Sequence, residues 1–340
     1  MSLEWHGVLP TAQIQKLPGE IMNIRILTAD DVKAALPIEK AIDVMARAFS
    51  QLSSDQATVP LRTHLNTDKG VTLLMPAFLH QSRQMAIKLV SIYTGNDKLG
   101  LPTVPGLVMV FDPETGMPLA LMEGHSLTAI RTGATGGLAA KILSRPDSQK
   151  IGLFGAGTQG LAQTRAVLAV RAIRQVHIYD QNPQYAENLA ARIRELPDAP
   201  EVFLAPTPKA AVQNADIIIT ATTSSIPVFD GADVMPGAHI TAVGSFRPTM
   251  QEVDETTVRK ARVVVDSRKA CLAEAGDLII SGATIHAEIG EIINKTNTGR
   301  ESADQITFFK TVGVAVQDAA AAAVVLAEAE ALGLGKMITL

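Results

Sequence analysis

Lys150-Ile151-Gly152-Leu153-Phe154-Gly155-Ala156-Gly157-Thr158-Gln159-Gly160, followed by Val176-His177-Ile178-Tyr179-Asp180, decides the fold of this chain. An apolar run, a G-x-G-x-x-G turn, a helix-compatible stretch and a second apolar run ending in an acid form a dinucleotide-binding fingerprint in its full context. The glycines alone would be a weak sign. Gly155 lets the chain turn sharply out of the strand, Gly157 removes a side chain so that backbone can approach a pyrophosphate, and Gly160 lets the new helix pack closely on the sheet. The N–H groups and positive dipole end of that helix suit the phosphates. Asp180, about 20 residues beyond the turn, suits the two hydroxyls of an adenosine ribose. A 2′-phosphate would meet it as a like charge, and Gln181 and Asn182 offer no cation in compensation. The pattern therefore favours NAD(H), with NADP(H) as the alternative. A glycine turn in some other parallel α/β domain is the competing reading of the same residues.

A length of 340 residues fits about two domains with sizeable cores. The balance of 30 basic against 34 acidic residues, with no basic cluster, offers no footprint for nucleic acid or an anionic membrane. A small-molecule partner is the expectation. Cys271, the single cysteine, cannot form an internal disulfide and lacks the companions of a zinc site, so no metal is expected and a reducing cytoplasm fits. The most apolar stretch, residues 319–327, is far shorter than the ~20 residues that span a bilayer and reads as a buried helix.

Residues 1–21 carry no sustained period and read as an N-terminal extension. Thr28-Ala29-Asp30-Asp31 caps an amphipathic stretch over residues 32–52, which predicts a helix. Between residues 62 and 122 short apolar runs alternate with turns, the pattern of a mostly antiparallel sheet. Helical sequence resumes over 125–143. Beyond the fingerprint, residues 185–196 read as helix and 216–221, 240–243 and 263–265 as buried strands, an alternation that predicts a parallel, doubly wound sheet. Residues 311–332 are Ala-rich and predict a final helix. The expected architecture is α/β: a Rossmann-type domain at 146–309, and a mixed α+β substrate domain at 22–145 completed by 310–340.

A nicotinamide does not choose a substrate, so the first domain must supply the groups that hold one. Lys88 lies inside the apolar run Met85-Ala86-Ile87-Lys88-Leu89-Val90, Arg131 lies in an otherwise small and apolar helix, and Arg62 follows Pro60-Leu61 at the entry to the sheet. Guanidinium groups suit bidentate capture of a carboxylate, and a partly desolvated ammonium can supply a proton. On pattern alone each is equally a snorkelled or surface cation. His125, His177, His239 and His286 are isolated from one another and read as satisfied histidines. Glu288 and Glu291, one turn apart, read as a solvated helix face before a cleft.

Met75-Pro76-Ala77, the Lys88 run, Gly100-Leu101-Pro102-Thr103-Val104, Arg131-Thr132-Gly133-Ala134, the glycine fingerprint, the run at 216–221 and Gly237-Ala238-His239-Ile240 occur in one order. Together they resemble the ornithine cyclodeaminase and mu-crystallin family, from about Met22 to the terminus. The resemblance implies a homodimer joined through the sheets of the first domains, and an active site in the cleft between domains. It assigns Arg62, Lys88 and Arg131 to a substrate carboxylate and Thr103 to the same pocket. It assigns Gly155, Ala156, Gly157, Thr158, Gln159 and Asp180 to the cofactor, with Thr222 and Thr223 near the dinucleotide and Gly244, Ser245 and Gly313 beside the nicotinamide.

Two departures direct the functional expectation. Ornithine cyclodeaminases carry an Asp shortly after the strand that ends near Val243, where this chain reads Gly244-Ser245-Phe246, and a Glu before the Met-Pro motif, where it reads Leu73-Leu74. Cyclodeamination requires several proton transfers, so the loss of two carboxylates argues against it. The mu-crystallin branch lacks the Asp, and its implied reaction is the NAD(P)H-dependent reduction of pyrroline-2-carboxylate or piperideine-2-carboxylate to L-proline or L-pipecolate. Ornithine cyclodeaminase, alanine dehydrogenase and a non-enzymatic, crystallin-like ligand-binding protein are the alternatives.

Overall fold

Two eight-stranded sheets, one wholly parallel and one mixed, organise residues 22–340, which are the residues described by the computed structural model. The extension expected at 1–21 lies outside them. The parallel sheet runs in the order Glu201–Leu204, Gln175–Tyr179, Lys150–Phe154, Ile217–Thr220, His239–Ala242, Thr307–Lys310, Arg262–Val265, Ala287–Glu288. From Lys150–Phe154 the chain first builds outward on one side and then returns to lay Ile217–Thr220 on the other. That reversal opens a crevice beyond the carboxyl ends of the strands. Ile217, Ile218 and Ile219 are all fully buried, as expected of a strand covered on both faces. Thr307-Phe308-Phe309-Lys310 is too short to signal its own place, yet it lies inside this sheet between His239–Ala242 and Arg262–Val265.

In the mixed sheet, Lys336–Thr339, Asn23–Leu27, Pro118–Glu123, Gly106–Phe111, Gln84–Ile92, Val71–Leu79 and Ala57–Thr58 follow one another, with Thr63–Asn66 also paired to Val71–Leu79. The Asn23–Leu27 and Pro118–Glu123 pair is parallel and the others antiparallel. Strand alternation places Leu73, Met75 and Ala77 with Ala86, Lys88 and Val90 on the buried face, against which the helix Ala315–Leu332 packs. Leu89 and Leu107 stand on the opposite face and are exposed.

Two helices depart from expectation. The stretch 32–52 is broken into Ala29–Ala35 and Ile38–Leu52, because Pro37 has no N–H to donate and its ring cannot follow a helical residue without clash. The capping box at Thr28 and Asp31 forms as predicted. The final helix begins at Ala315 and not at 311. Gly313 sits at φ +79°, outside helical space, and the N–H groups of Val312 and Gly313 donate to Asp266 Oδ2 at 3.0 and 2.9 Å.

The helix Gly124–Leu143 joins the two halves. Its glycines cost about 1 kcal/mol each in helix propensity, and they are used where it crosses the helix Thr158–Leu168. A Cβ on Gly133 would lie 2.6 Å from the Ala162 carbonyl oxygen, and one on Gly137 would lie 2.8 Å from the Ala166 Cβ. Gln163 Nε2 donates to the Thr132 carbonyl at 2.8 Å and fixes the register. A Gly137→Val substitution must force the two helices apart and is expected to cost about 1–3 kcal/mol. Differential scanning fluorimetry would read this as a Tm several degrees lower; an unchanged Tm would show that the helices are not held at this spacing.

Candidate active site

The crevice begins at the glycine turn. Gly155, at φ +96°, turns the chain out of Lys150–Phe154, and a Cβ there would meet the Ala221 carbonyl oxygen at 2.5 Å. Gly160 is likewise pressed against the Gly155 carbonyl. Gly157 is different: a Cβ there would meet nothing within 4 Å, so its missing side chain leaves open space before the helix Thr158–Leu168. That helix starts without a side-chain cap, and Gln159 Oε1 is buried with no hydrogen-bond partner. Asp180 Oδ2 accepts from the Ala156 N–H and Oδ1 from the Asn182 N–H, both at 2.8 Å. These bonds fix the carboxylate beside the turn with lone pairs to spare. An open cradle, bare helix N–H groups and an adjacent carboxylate fit a dinucleotide.

Thr222 and Gly244-Ser245 follow the next two strands at the same edge, and Thr223 is exposed beside them. The two loops meet on one side chain. Glu252 Oε1 accepts from the Thr222 N–H at 2.6 Å and its hydroxyl at 2.9 Å, and Oε2 accepts from the N–H groups of Gly244 at 2.7 Å and Ser245 at 3.1 Å. Burial pushes the Glu252 carboxyl above its ordinary value, with Lys310 opposing and Asp277 adding to the rise.

The cations converge from the other sheet and its helices. Lys88 Nζ lies 2.9 Å from Asp318 Oδ1 and 2.8 Å from Oδ2, while Arg131 Nε donates to Oδ1 at 3.0 Å. All three are almost wholly buried. Arg131 Nη1 also donates to Gln317 Oε1 at 2.9 Å, and a Cβ on Gly313 would lie 2.8 Å from the same Nη1. Arg62 Nη2 donates to the Gly313 carbonyl at 2.7 Å and pairs with Glu274 at 2.8 Å. Gly313 therefore sits between two guanidinium groups, and a side chain there would displace one of them. Burial, and next the Arg131 charge, pull the Lys88 ammonium down to about 7 against the opposing pull of Asp318. Burial pushes the Asp318 carboxyl up, but Arg131 and Lys88 outweigh it and hold the group below its ordinary range.

A cavity of about 410 Å³ opens beside Arg62, with Leu73, Ile92, Phe246 and Glu274 also in its wall. Leu73 and Phe246 thus both face it. Thr103 lies on the loop after Gln84–Ile92, where its carbonyl accepts from the Tyr93 N–H at 2.9 Å. Glu288 and Glu291 line a second cavity, of about 400 Å³, that also reaches Arg62 and Gly313. His239 is a satisfied core histidine, bonded through its two ring nitrogens to the hydroxyls of Thr307 and Thr241. No group of metal-ligating side chains occurs among the described residues, and no helix there is long and apolar enough to cross a membrane.

Sequence reasoning missed Asp318 and Glu252. The argument that singled out Lys88, a charge inside an apolar run, applies equally to Asp318 in Val316-Gln317-Asp318-Ala319-Ala320. Nothing local marks Glu252.

Fold and site together define a Rossmann-type dinucleotide enzyme with a buried cationic pocket. The chain belongs to the ornithine cyclodeaminase/mu-crystallin family, whose sequence profile matches residues 22–332. It is 37% identical over 323 residues to a Delta(1)-pyrroline-2-carboxylate reductase of Bacillus cereus, covering 92% of this chain and 99% of that protein. The Thermococcus litoralis Delta(1)-pyrroline-2-carboxylate reductase, solved with NADH and L-proline, superposes with a TM-score of 0.89 at 39% identity, covering 92% of this chain and 99% of that one. An archaeal alanine dehydrogenase dimer with bound NAD gives a TM-score of 0.88 at 34% identity, covering 93% and 99%.

Removing the shared anion leaves two buried cations facing each other, so Asp318→Asn is expected to destabilise the fold by about 3–5 kcal/mol in chemical denaturation. A loss under 1 kcal/mol would mean that Asp318 does not balance the pair.

Proposed function

We propose that this protein reduces a cyclic ketimine acid, pyrroline-2-carboxylate or its six-membered homologue piperideine-2-carboxylate, to L-proline or L-pipecolate with NADH. One observation carries the reading. Arg62 and Arg131 flank Gly313, Lys88 shares Asp318 with Arg131, and Arg62 lines a cavity with Leu73 and Phe246, close to the positions, Leu73-Leu74 and Phe246, at which the family resemblance puts the carboxylates of ornithine cyclodeaminases. Such a pocket can hold an anion and an apolar ring, and near Leu73-Leu74 and Phe246 it carries none of the acids that the resemblance gives to cyclodeaminases for amine attack and ammonia loss; the acid in its wall, Glu274, is paired with Arg62.

When bound, the dihydronicotinamide supplies a hydride to the imine carbon. Arg62 and Arg131 hold the substrate carboxylate, Arg62 exchanging Glu274 for it, and so fix the imine carbon toward the crevice. Lys88 Nζ, with its pKa drawn down to about 7, delivers a proton to the imine nitrogen or keeps it protonated there. Hydride on carbon and proton on nitrogen complete the secondary amine. Phe246, Leu73 and Ile92 exclude water from the ring. Asp180 receives the adenosine ribose hydroxyls and disfavours a 2′-phosphate.

The exposed Leu89 and Leu107 on the outer face of the mixed sheet support a homodimer in which these faces meet. The dimeric state of the archaeal neighbour agrees with this.

Two measurements test the reading. Since the Lys88 ammonium is the active form and is lost as pH rises through about 7, kcat/KM for imine reduction should fall along an alkaline limb near that pH. In Lys88→Met it should drop by on the order of a hundredfold and lose that limb; matching profiles in variant and wild type would remove Lys88 from the chemistry. Asp180→Ala should raise the Kd for NADH about tenfold while leaving NADPH binding equal or tighter. Parallel losses for both cofactors would contradict the assigned contact.

A further inference from the structure

We propose that Glu252 is a positioning residue for the nicotinamide half of the dinucleotide, its buried carboxylate pinning together the two strand-end loops on which that half would rest. This rests on the reading that the crevice binds NAD(H). In a doubly wound sheet the dinucleotide crosses the carboxyl edge at the switch point. Asp180 marks the adenosine side, after Gln175–Tyr179, so the other half lies over the ends of Ile217–Thr220 and His239–Ala242. Thr222 and Gly244-Ser245 are the residues that follow those two strands.

A carboxylate has about four lone-pair sites, and here four donors occupy them: two from Thr222 on one oxygen, and Gly244 and Ser245 on the other. Glu252 is therefore saturated by protein and holds the loops without touching the cofactor itself. The arrangement is backed from the interior. Asp277 Oδ1 accepts from the N–H groups of Glu252 at 2.7 Å and Val253 at 3.1 Å, and Oδ2 pairs with Lys310 Nζ at 3.1 Å, all fully buried. Ser245 Oγ closes the circuit by accepting from the Asp277 N–H at 3.2 Å. Apolar side chains of similar volume would hold a core at least as well as buried charges. What the carboxylate adds is a fixed spacing between two loops whose Thr222, Gly244 and Ser245 N–H groups all point at it.

Glutamine is nearly isosteric but replaces one acceptor oxygen by an amino group, which faces N–H donors and must release one loop. Glu252→Gln, folded by circular dichroism, is expected to bind NADH at least about tenfold more weakly in fluorescence titrations. Its affinity for ADP-ribose, which lacks the nicotinamide, should match wild type in calorimetry. Unchanged NADH affinity, or equal losses for NADH and ADP-ribose, would overturn the proposal. If Glu252→Gln does not fold, Thr222→Val removes one of the four bonds; a threefold or greater loss for NADH alone is expected, and none would overturn it. Wild-type protein that bound neither ligand would instead refute the cofactor reading itself.

Discussion

The ionic contact of Asp318 with both Lys88 and Arg131 sets the geometry on which the rest of the candidate site depends. Two cations of the same sign cannot share a desolvated space without an anion between them. The anion comes from the helix Ala315–Leu332, one cation from a central strand of the mixed sheet, and the other from the helix Gly124–Leu143. Three elements are thereby brought to one point. The last of them lies against the dinucleotide helix through Gly133 and Gly137, where there is no room to slide. The cation cluster and the glycine cradle are thus coupled through backbone contacts and not through flexible side chains.

A second regularity lies at the carboxyl edge of the parallel sheet, where buried acids hold the irregular backbone. Asp266 gathers the Thr311 hydroxyl and the N–H groups of Val312 and Gly313, while Glu252 gathers the loops at Thr222 and Gly244. At the opposite edge Asp216 receives the N–H groups of Gln149 and Lys150. Loops that lack sheet or helix partners must satisfy their N–H groups some other way. Here they do so on carboxylates, which accept more strongly than neutral groups and fix direction as well as distance.

How much of this was legible in the sequence follows from the range of each interaction. The glycine turn and Asp180 belong to one βαβ unit, so their spacing carried the signal. Lys88 and Arg131 were visible because a charge in an apolar stretch contradicts its surroundings. Their partner was not inferred, because Asp318 lies 230 and 187 residues away and pairing over such distances is set by topology. Pro37 was legible in principle, since its chemistry is local, yet helical periodicity on both sides concealed the break. Gly313 reads as part of a helix because nothing in its own neighbours announces the Asp266 carboxylate.

The position of Thr307–Lys310 within the parallel sheet bears on how the protein is made. Its two neighbours, His239–Ala242 and Arg262–Val265, are separated by a gap that only this later segment fills, and Asn23–Leu27 waits for residues 336–339 to cover its outer side. During synthesis, therefore, both sheets carry open, apolar edges until almost the whole chain has left the ribosome. Such pairings of high contact order form slowly and leave unpaired strands exposed to other chains. A chain that stopped between Val265 and Thr307 would carry both sheets incomplete, with unpaired strand edges open to proteolysis or aggregation.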